Sequence, residues 1–318
     1  MTVADGKSKH CSSWHKKLIH FCILTLTIFT QSAVANTDIQ DEVFYFVMHD
    51  RFANGDPSND SAGITGDRNQ HGFDATDSRY FHGGDLAGLT SKLSYLRLSG
   101  ITALWITPPF KNKWMQGESA GYHGYWATDY SQIDPHWGTN SDFKAFVERA
   151  HKLRMKVFLD VVVNHTGDVI KYEECHNEDG SLKDGLTNCP YKTLADKADT
   201  PYTPFIPAGL ENTKFPLWLN DTKYYNNQGD STFSGESSIY GDFFGLDDLD
   251  TNNIDVVVGM TTIFKQWISD YKIDGFRVDT VKHVDTALWQ QWVPEIQAHA
   301  KSQGIDNFFI SGEVFNGN

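Results

Sequence analysis

The sequence predicts an α/β fold with a parallel sheet, and two features of the chain carry this prediction. Short apolar runs rich in β-branched residues alternate with segments whose apolar residues recur at helical spacing, and repeated strand–helix units imply a parallel sheet. Acids, amides and imidazoles follow three of these runs at their carboxyl ends, where an α/β barrel exposes its strand ends to substrate. The functional site is therefore expected at that edge of the sheet.

The first two strands and the helix between them are predicted in the amino-terminal part of the fold. The apolar run 43–47 predicts a buried strand, and the run 101–106 predicts the second. Gly100 ends the helix that precedes the second strand. The apolar face of that helix is marked by Leu86, Leu89, Leu93 and Leu96.

Three more strands follow. They are predicted at 157–163, 273–278 and 308–310. The helix before the third strand carries Phe143, Phe146, Val147, Ala150 and Leu153. The helix before the fourth strand carries Met260, Ile263, Phe264 and Trp267.

A long irregular segment separates the third strand from the helix before the fourth. It contains about 90 residues rich in Gly, Asn, Asp, Pro and aromatic side chains, which is far too long for an ordinary loop. Residues 166–250 are therefore predicted to form a small inserted domain, with residues 36–165 and 251–318 as the two parts of the main domain.

Residues 1–35 read as a secretory signal peptide, which predicts a secreted or periplasmic protein. Four lysines precede the apolar stretch 21–29, and Ala33-Val-Ala35 offers small residues for cleavage. The alternative, an amino-terminal membrane anchor, needs a longer apolar run. Cleavage would leave 23 Lys and Arg against 40 Asp and Glu, a net charge of −17. Such a chain would repel nucleic acid, and we expect a monomer without membrane contact after cleavage.

Two of the four cysteines, Cys175 and Cys189, lie outside the signal segment. An oxidising compartment favours a disulfide between them. Two free thiols, or half of a metal site, are the alternatives.

Three segments carry the polar residues that follow the strands. They read Asp-Val-Val-Val-Asn-His at 160–165, Gly-Phe-Arg-Val-Asp-Thr-Val-Lys-His at 275–283, and Ser-Gly-Glu-Val-Phe at 311–315. Alternate residues of a strand share a face, so Arg277 is expected beside Asp279 and should keep that carboxylate ionised at neutral pH. Glu313 has small and apolar neighbours, which suit a proton donor.

The ordered set of these segments resembles the first three signature regions of the α-amylase superfamily of retaining glycoside hydrolases. The resemblance runs from about residue 43 to the last residue. It implies a (β/α)8 TIM barrel with an inserted domain after the third strand. About five of the eight strand–helix units can be found, so we expect the chain to be an amino-terminal fragment, with the remaining signature and its third carboxylate further downstream.

The resemblance also implies a role for each site residue. Asp279 would be the nucleophile, Glu313 the general acid/base, and Arg277 the residue that orients the nucleophile. Sugar-binding residues would come from the same segments and from the aromatic loop 122–126, which otherwise reads as a packed aromatic loop: His123, Tyr125, Trp126, Asp160, His165, Lys282 and His283. The pair Lys282-His283 favours α-1,4 over α-1,6 linkages.

Two Ca²⁺ sites are implied as well. One is a loop crowded with hard oxygen ligands, as preferred by Ca²⁺, although a simple polar turn is the alternative. Its residues are Asn54, Asp56, Asn59, Asp60, Gly83 and Asp85. The other would join the barrel to the inserted domain through Asn164, Asp248 and the backbone carbonyl of His283.

The leading hypothesis is an exported, calcium-dependent α-amylase that hydrolyses internal α-1,4 bonds of starch or glycogen. If the stretch Leu246-Asp-Asp-Leu aligns with its equivalent in cyclodextrin glycosyltransferases, Phe244 falls where those enzymes carry an aromatic residue that favours transfer to a sugar acceptor. A cyclodextrin-forming or 4-α-glucanotransferase is therefore the alternative. A catalytically silent glucan-binding protein is a third possibility, against which the presence of Asp279 and Glu313 argues.

Overall fold

The computed structural model describes residues 39–315, and residues 42–315 belong to one compact unit. The predicted signal segment, residues 1–35, lies outside the described residues. In the part of the chain that is described, no helix is long and apolar enough to cross a membrane.

Five parallel strands form the central sheet, in the order in which they occur along the chain. Their bounds are β1 Phe44–Val47, β2 Ala103–Ile106, β3 Lys156–Val161, β4 Gly275–Val278 and β5 Phe309–Gly312. Each predicted strand is present, with ends that differ by at most two residues. The parallel sheet is confirmed, and a chain order of this kind is that of consecutive barrel strands.

Four long helices connect or follow these strands: α1 Leu86–Leu98, α2 Asn140–Lys152, α3 Ile254–Tyr271 and α4 Thr286–Ser302. The first three contain the predicted apolar faces. The fourth was not predicted as an element, and Pro294 lies inside it. Its buried residues recur at helical spacing all the same.

The main core lies between the helices and one face of the sheet. Val157, Leu159 and Val161 alternate on β3 and are fully buried in it. The opposite face carries an aromatic layer, in which the ring of Phe158 lies 4.8 Å from Phe44 and 6.3 Å from Phe309. The same face carries the polar residues of the site at the strand ends.

The remaining elements are short. The short strands pair antiparallel as Phe110–Asn112 with Ala127–Ile133, Met115–Gln116 with Ser119–Ala120, His165–Thr166 with Asp247–Asp248, and Lys171–Tyr172 with Pro204–Phe205. The short α-helices are Arg68–His71, Leu194–Asp199 and Ser237–Tyr240. The 3-10 turns are Ile39–Asp41, His49–Arg51, Pro57–Asn59, Leu217–Asn220, Thr222–Tyr224 and Val281–His283.

The segment 166–250 is predominantly irregular, as its composition predicts, and a disulfide joins Cys175 to Cys189 within it. The predicted disulfide is thus confirmed. The pairing of Asp248 with His165 brings the end of this segment back to its beginning. Its limits as a separate domain stay a prediction.

Candidate active site

The register of the sheet brings the predicted catalytic residues together. Asp160 on β3 is the cross-strand partner of Arg277 on β4. The ladder continues past the strand ends, because the backbone N–H of Asp279 donates to Val161 O at 2.9 Å and that of Glu313 donates to Val278 O at 2.8 Å. These hydrogen bonds therefore fix the backbone of both Asp279 and Glu313 at one edge of the sheet.

The guanidinium of Arg277 contacts three carboxyl groups. Its Nη1 lies 2.7 Å from Asp279 Oδ1 and 3.0 Å from Asp160 Oδ1, and its Nη2 lies 2.9 Å from Glu313 Oε1. Burial lowers the pKa of Arg277, but the surrounding carboxylates outweigh it and raise the pKa overall. Arg277 is therefore a permanent cation between the proposed nucleophile and the proposed acid/base.

Asp160 is buried and receives two further hydrogen bonds. Tyr125 Oη donates to its Oδ2 at 2.8 Å, and Trp105 Nε1 donates to the same oxygen at 2.9 Å. Burial raises the pKa of Asp160 to about 7, and Asp279 adds to that rise while Arg277 opposes it. Trp105 also lies under Arg277, 5.0 Å from its Cζ. Sequence reasoning missed Trp105, although its place near the end of the second strand was a usable signal.

The electrostatic environments of Asp279 and Glu313 differ from those predicted. Burial raises the pKa of Asp279 to about 6, outweighing the opposite effect of Arg277, and the neighbouring Glu313 adds to the rise. Asp279 is still mostly ionised at pH 7. Glu313 shares its cavity with Phe243 and Phe244, but its side chain is 38% exposed and pairs with a cation, so it is not enclosed by apolar groups as expected. The reason is that Glu313 follows the last strand of the sheet and faces an open cavity.

That cavity has a volume of about 510 Å³ and collects most of the predicted sugar-binding residues around the carboxyl groups. The predicted residues that line it are His123, Tyr125, Trp126, His165, Phe244, Arg277, Asp279 and Glu313. Lining residues that sequence reasoning missed are Gln116, Phe243, Leu246 and Thr280. Of these, Phe243 stacks on His165 with ring centroids 5.6 Å apart.

The two histidines of this cavity are neutral at physiological pH. Burial lowers the pKa of His123 to about 4, with Arg51 adding to the effect. Burial likewise lowers the pKa of His165 to about 4. A neutral imidazole offers one donor and one acceptor, which suits the hydroxyl groups of an uncharged sugar.

A second cavity of about 350 Å³ adjoins the first and contains Lys282 and His283. Phe244 lines both cavities, and its side chain is 71% exposed. Its ring lies 4.7 Å from that of Phe233, and Gln116 Nε2 donates to its carbonyl at 3.3 Å. An aromatic ring is thus presented between two halves of one cleft.

The predicted calcium ligands Asn164 and Asp248 lie on neighbouring backbone segments, since the Leu249 N–H donates to Asn164 O at 2.9 Å. Asn164 Oδ1 is buried without a hydrogen-bond partner. Burial raises the pKa of Asp248 well above its usual value, and Asp242 adds to the rise. A hard cation would supply a partner for the amide oxygen and compensate the buried carboxylates, so these residues fit Ca²⁺.

Asp242 is a further candidate ligand that sequence reasoning missed. It is buried, its Oδ1 accepts from the Asp248 N–H at 3.2 Å, and its Oδ2 accepts from Tyr172 Oη at 2.6 Å. The imidazole Nδ1 of His283 lies 2.5 Å from the backbone oxygen of Ser238. The backbone carbonyl of His283 remains the predicted ligand.

The other predicted calcium site also brings its residues together. Asn54 Nδ2 donates to Asp60 Oδ1 at 2.7 Å, and a Cβ placed on Gly83 would come within 2.5 Å of that carboxylate oxygen. Burial raises the pKa of Asp60, and the Asp85 and Asp56 carboxylates add to the rise. Asn59 Oδ1 is buried without a partner. The set of oxygens fits a hard cation.

Asp85 and Asp56 have additional structural roles in that loop. Asp85 caps α1 by accepting from the Gly88 N–H at 2.6 Å, and it accepts from the Asp56 N–H at 2.7 Å. Asp56 accepts from Ser58 N at 3.1 Å. Among the described residues, no group of three or more His, Cys, Asp or Glu side chains is arranged as a metal site, so amide and backbone oxygens would have to complete both sets.

Comparisons with known proteins agree with this geometry. The family model of the α-amylase catalytic domain matches residues 46–311. An α-amylase from Streptomyces lividans is 44% identical over 303 residues, which cover 88% of this chain and 32% of that protein. A cyclomaltodextrin glucanotransferase from Klebsiella oxytoca is 33% identical over 301 residues, covering 93% of this chain and 41% of that protein.

Solved structures show the same relationship. The crystal structure of an Anoxybacillus α-amylase superposes with a TM-score of 0.62 at 35% identity, covering 88% of this chain and 48% of that one. The chain therefore spans between about a third and a half of the length of these relatives. With the match of the catalytic-domain model over 46–311 and the carboxyl groups gathered on Arg277, this chain belongs to the α-amylase family.

Proposed function

We propose that the full-length protein is an exported α-amylase that hydrolyses internal α-1,4-glucosidic bonds of starch or glycogen with retention of configuration. The observation that carries this proposal is the contact of one guanidinium with both Asp279 and Glu313, at 2.7 and 2.9 Å. A retaining glycosidase needs two carboxyl groups on either side of one scissile bond. Arg277 holds both within reach of the same cavity.

In the first step, the protonated Glu313 carboxyl donates its proton to the glycosidic oxygen while an Asp279 carboxylate oxygen attacks the anomeric carbon. The C–O bond to the leaving glucan breaks, and a glycosyl ester forms on Asp279. In the second step, Glu313 takes a proton from water, which attacks the same carbon and releases Asp279 as a carboxylate. Arg277 stabilises the negative charge on Asp279 at the start and the end of the cycle.

Substrate binding would follow from the lining of the cavity. Tyr125 and Trp126 offer apolar ring faces, while His123 and His165 offer neutral hydrogen-bonding groups. Sugars present apolar faces and hydroxyl edges, so both kinds of group are needed. Asp160 would brace the site through its bonds to Tyr125 and Arg277.

Calcium at the two oxygen-rich sets would support the fold around this cavity. Asn164 and Asp248 lie directly beside His165, which lines the cavity. When bound, the ion would neutralise buried carboxylate charge and fix the segment that returns from residues 166–250. Export would follow from the predicted signal peptide at residues 1–35, and the disulfide is compatible with an oxidising compartment.

A glucanotransferase is the second candidate, and Phe244 is the observation that favours it. An exposed ring between the two cavities could exclude water and hold an incoming sugar acceptor. In that case the glycosyl ester on Asp279 would be attacked by a sugar hydroxyl instead of water. Chromatography of the products formed from starch separates the two: linear maltooligosaccharides indicate hydrolysis, and cyclic or elongated glucans indicate transfer.

The decisive experiment traps the covalent intermediate on the full-length protein. A slow fluorinated α-glucoside should label wild type, and mass spectrometry of the peptides should place the sugar on Asp279. The Asp279→Asn variant is the control and should take up no label, because an amide is a poor nucleophile. A label on another residue, or an equally rapid label on Asp279→Asn, would contradict the assignment.

A further inference from the structure

Another cavity, of about 520 Å³, lies along one side of helix α3, and it shares no lining residue with the two cavities of the active site. Its walls come from α3, from Tyr130–Ser131 and from residues 215–218. We call it the α3 cavity. Its volume lies in the range of small-ligand sites, roughly 300–1,000 Å³.

Five of the twelve residues that line the α3 cavity are aromatic. Trp218 lies against α3 at Gly259, where an added Cβ would come within 2.4 Å of the indole Cζ2. Trp267 and Tyr271 form another wall, with ring centroids 4.8 Å apart. Trp267 is fixed by a bond from its Nε1 to Tyr130 O at 2.6 Å. The absence of a side chain at position 259 thus leaves room for the indole, and the rings are held by packing and hydrogen bonding.

Polar groups lie among these rings. Gln266 and Asp270 are exposed one turn apart on α3, and Gln266 Nε2 donates to Asp270 Oδ1 at 2.8 Å. Thr262 adds a hydroxyl group, whose proton goes to Val258 O at 2.8 Å, so its lone pairs can accept. Amide, carboxylate and hydroxyl groups at the edge of aromatic walls match the hydroxyl edge and apolar face of a sugar ring.

The charge of the cavity selects against anionic ligands. Among its lining residues only Asp270 is charged, and its carboxylate already accepts the Gln266 amide proton. No lining side chain is cationic, and the chain carries a net charge of −14, so anions would be repelled. An uncharged ligand with apolar faces that can stack on aromatic rings fits best.

We infer that the α3 cavity is a second binding site for α-glucan, separate from the active site. This inference rests on the proposed function, because a glucan polymer is the ligand that would be present at the protein surface during catalysis. A polymer held at one site raises the effective concentration of its other segments at the second site. The α3 cavity would therefore strengthen binding of long glucans more than of short ones.

The test measures affinity for soluble starch by retardation in native gels, with the full-length protein in a Glu313→Gln background so that starch is not degraded. Phe215→Ala removes an exposed ring of the cavity, and Thr262→Tyr fills it without removing a packed group. Each should weaken starch binding roughly tenfold, the usual scale of a lost aromatic contact. Tyr95→Ala, which removes an even more exposed ring on α1, is the control and should bind as the parent does.

The outcomes separate this inference from the proposed function. Unchanged retardation of both cavity variants, with unchanged thermal midpoints, overturns the inference even if Asp279 is labelled. The inference is also overturned if the parent shows no starch retardation, or if a second copy or another segment of the chain fills the cavity. If Asp279 takes no label but both cavity variants lose starch binding and Tyr95→Ala does not, the binding site stands and the proposed chemistry fails.

Discussion

At the scale of single residues, the site depends on how burial and charge act on Asp279. Proximity to Arg277 alone would lower the pKa of that carboxyl group, but burial reverses the effect and brings the pKa to about 6. Asp160 is deeper still, and its pKa rises to about 7. Burial depends on residues from several strands and loops, so the sequence predicted that Arg277 neighbours Asp279 and that Asp279 is ionised at neutral pH, but it did not predict the rise in the pKa.

The pKa of Asp279 predicts the acid side of the activity profile. The nucleophile must be ionised, so kcat/KM should fall as the pH drops below about 6. Because Glu313 contributes to the raised pKa, the Glu313→Gln variant should have this fall at a lower pH. A substrate with a strongly acidic phenol as its leaving group needs no proton donor, so glycosyl-enzyme formation can be measured in both proteins.

Wild type and Glu313→Gln should then be compared by the pH dependence of the labelling rate. Glu313→Asp, which keeps the charge, is the matched control. Its labelling rate should fall at a pH closer to that of wild type. If Glu313→Gln shows its fall at the same or a higher pH than wild type, the electrostatic link between the two carboxyl groups is wrong.

At the scale of elements, periodic segments were predicted well and irregular ones were not. All five strands and three of the four long helices follow from apolar spacing alone, because burial on one face imposes that spacing. Asp242 and Phe243 lie in an irregular segment, where isolated bridges from Asp242 to Asp230 and from Phe243 to Leu246 set the path. Such a path has no period in the sequence, so neither residue could be assigned to the site.

One buried ion pair holds this irregular segment together. Lys214 is fully buried and pairs with Asp247, and its Nζ also donates to Tyr225 Oη at 3.0 Å. Asp247 in turn accepts from the backbone N–H groups of Val169 and Ile170, at 2.9 and 3.0 Å. Four separate stretches of chain thus meet at one pair of charges.

Lys214→Met should therefore destabilise the protein by about 3–5 kcal/mol at pH 7, because it leaves the Asp247 carboxylate buried without a counter-charge. Removing the lysine also raises the pKa of Asp247, since Lys214 lowers it in the native structure. A raised folded-state pKa favours the protonated form, so the penalty should shrink as the pH falls from 7 towards 5. Denaturant unfolding of mutant and wild type at both pH values measures it.

The control for Lys214→Met is the surface pair of Lys265 and Glu295, in which the glutamate side chain is 62% exposed. Lys265→Met should cost no more than about 1 kcal/mol. Equal losses in the two variants, or a Lys214→Met penalty that grows on acidification, would show that the buried pair does not act as described.

At the scale of the whole molecule, negative charge is concentrated at the two predicted calcium sites, where oxygen atoms lie close together. At each predicted calcium site, neighbouring carboxylates raise the pKa of one aspartate: Asp85 and Asp56 raise that of Asp60, and Asp242 raises that of Asp248. In the absence of a cation, carboxylates that lie close to one another repel each other and oppose folding. The candidate ligands of both predicted sites were named from the sequence and its family resemblance, whereas the unpartnered oxygens of Asn59 and Asn164 required the structure.

Calcium should therefore stabilise the full-length protein, and a chelator should lower its thermal midpoint. An ion bound only by the folded state contributes about 2.7 kcal/mol when its free concentration is about 100-fold above Kd. Asp60→Asn and Asp248→Asn should each remove part of the calcium response, since each change weakens a different site. Asp184→Asn, an exposed carboxylate in the same segment as the disulfide, is the control and should keep the full response.

The size of the two losses carries information about how the sites are arranged. Distant, independent sites give nearly additive effects, so the double variant Asp60→Asn/Asp248→Asn should lose about the sum of the two single responses, measured as the difference in midpoint with and without calcium. A midpoint that is indifferent to chelator after exhaustive dialysis would contradict both sites. A single variant that abolishes the whole response would mean that one site binds all of the stabilising calcium.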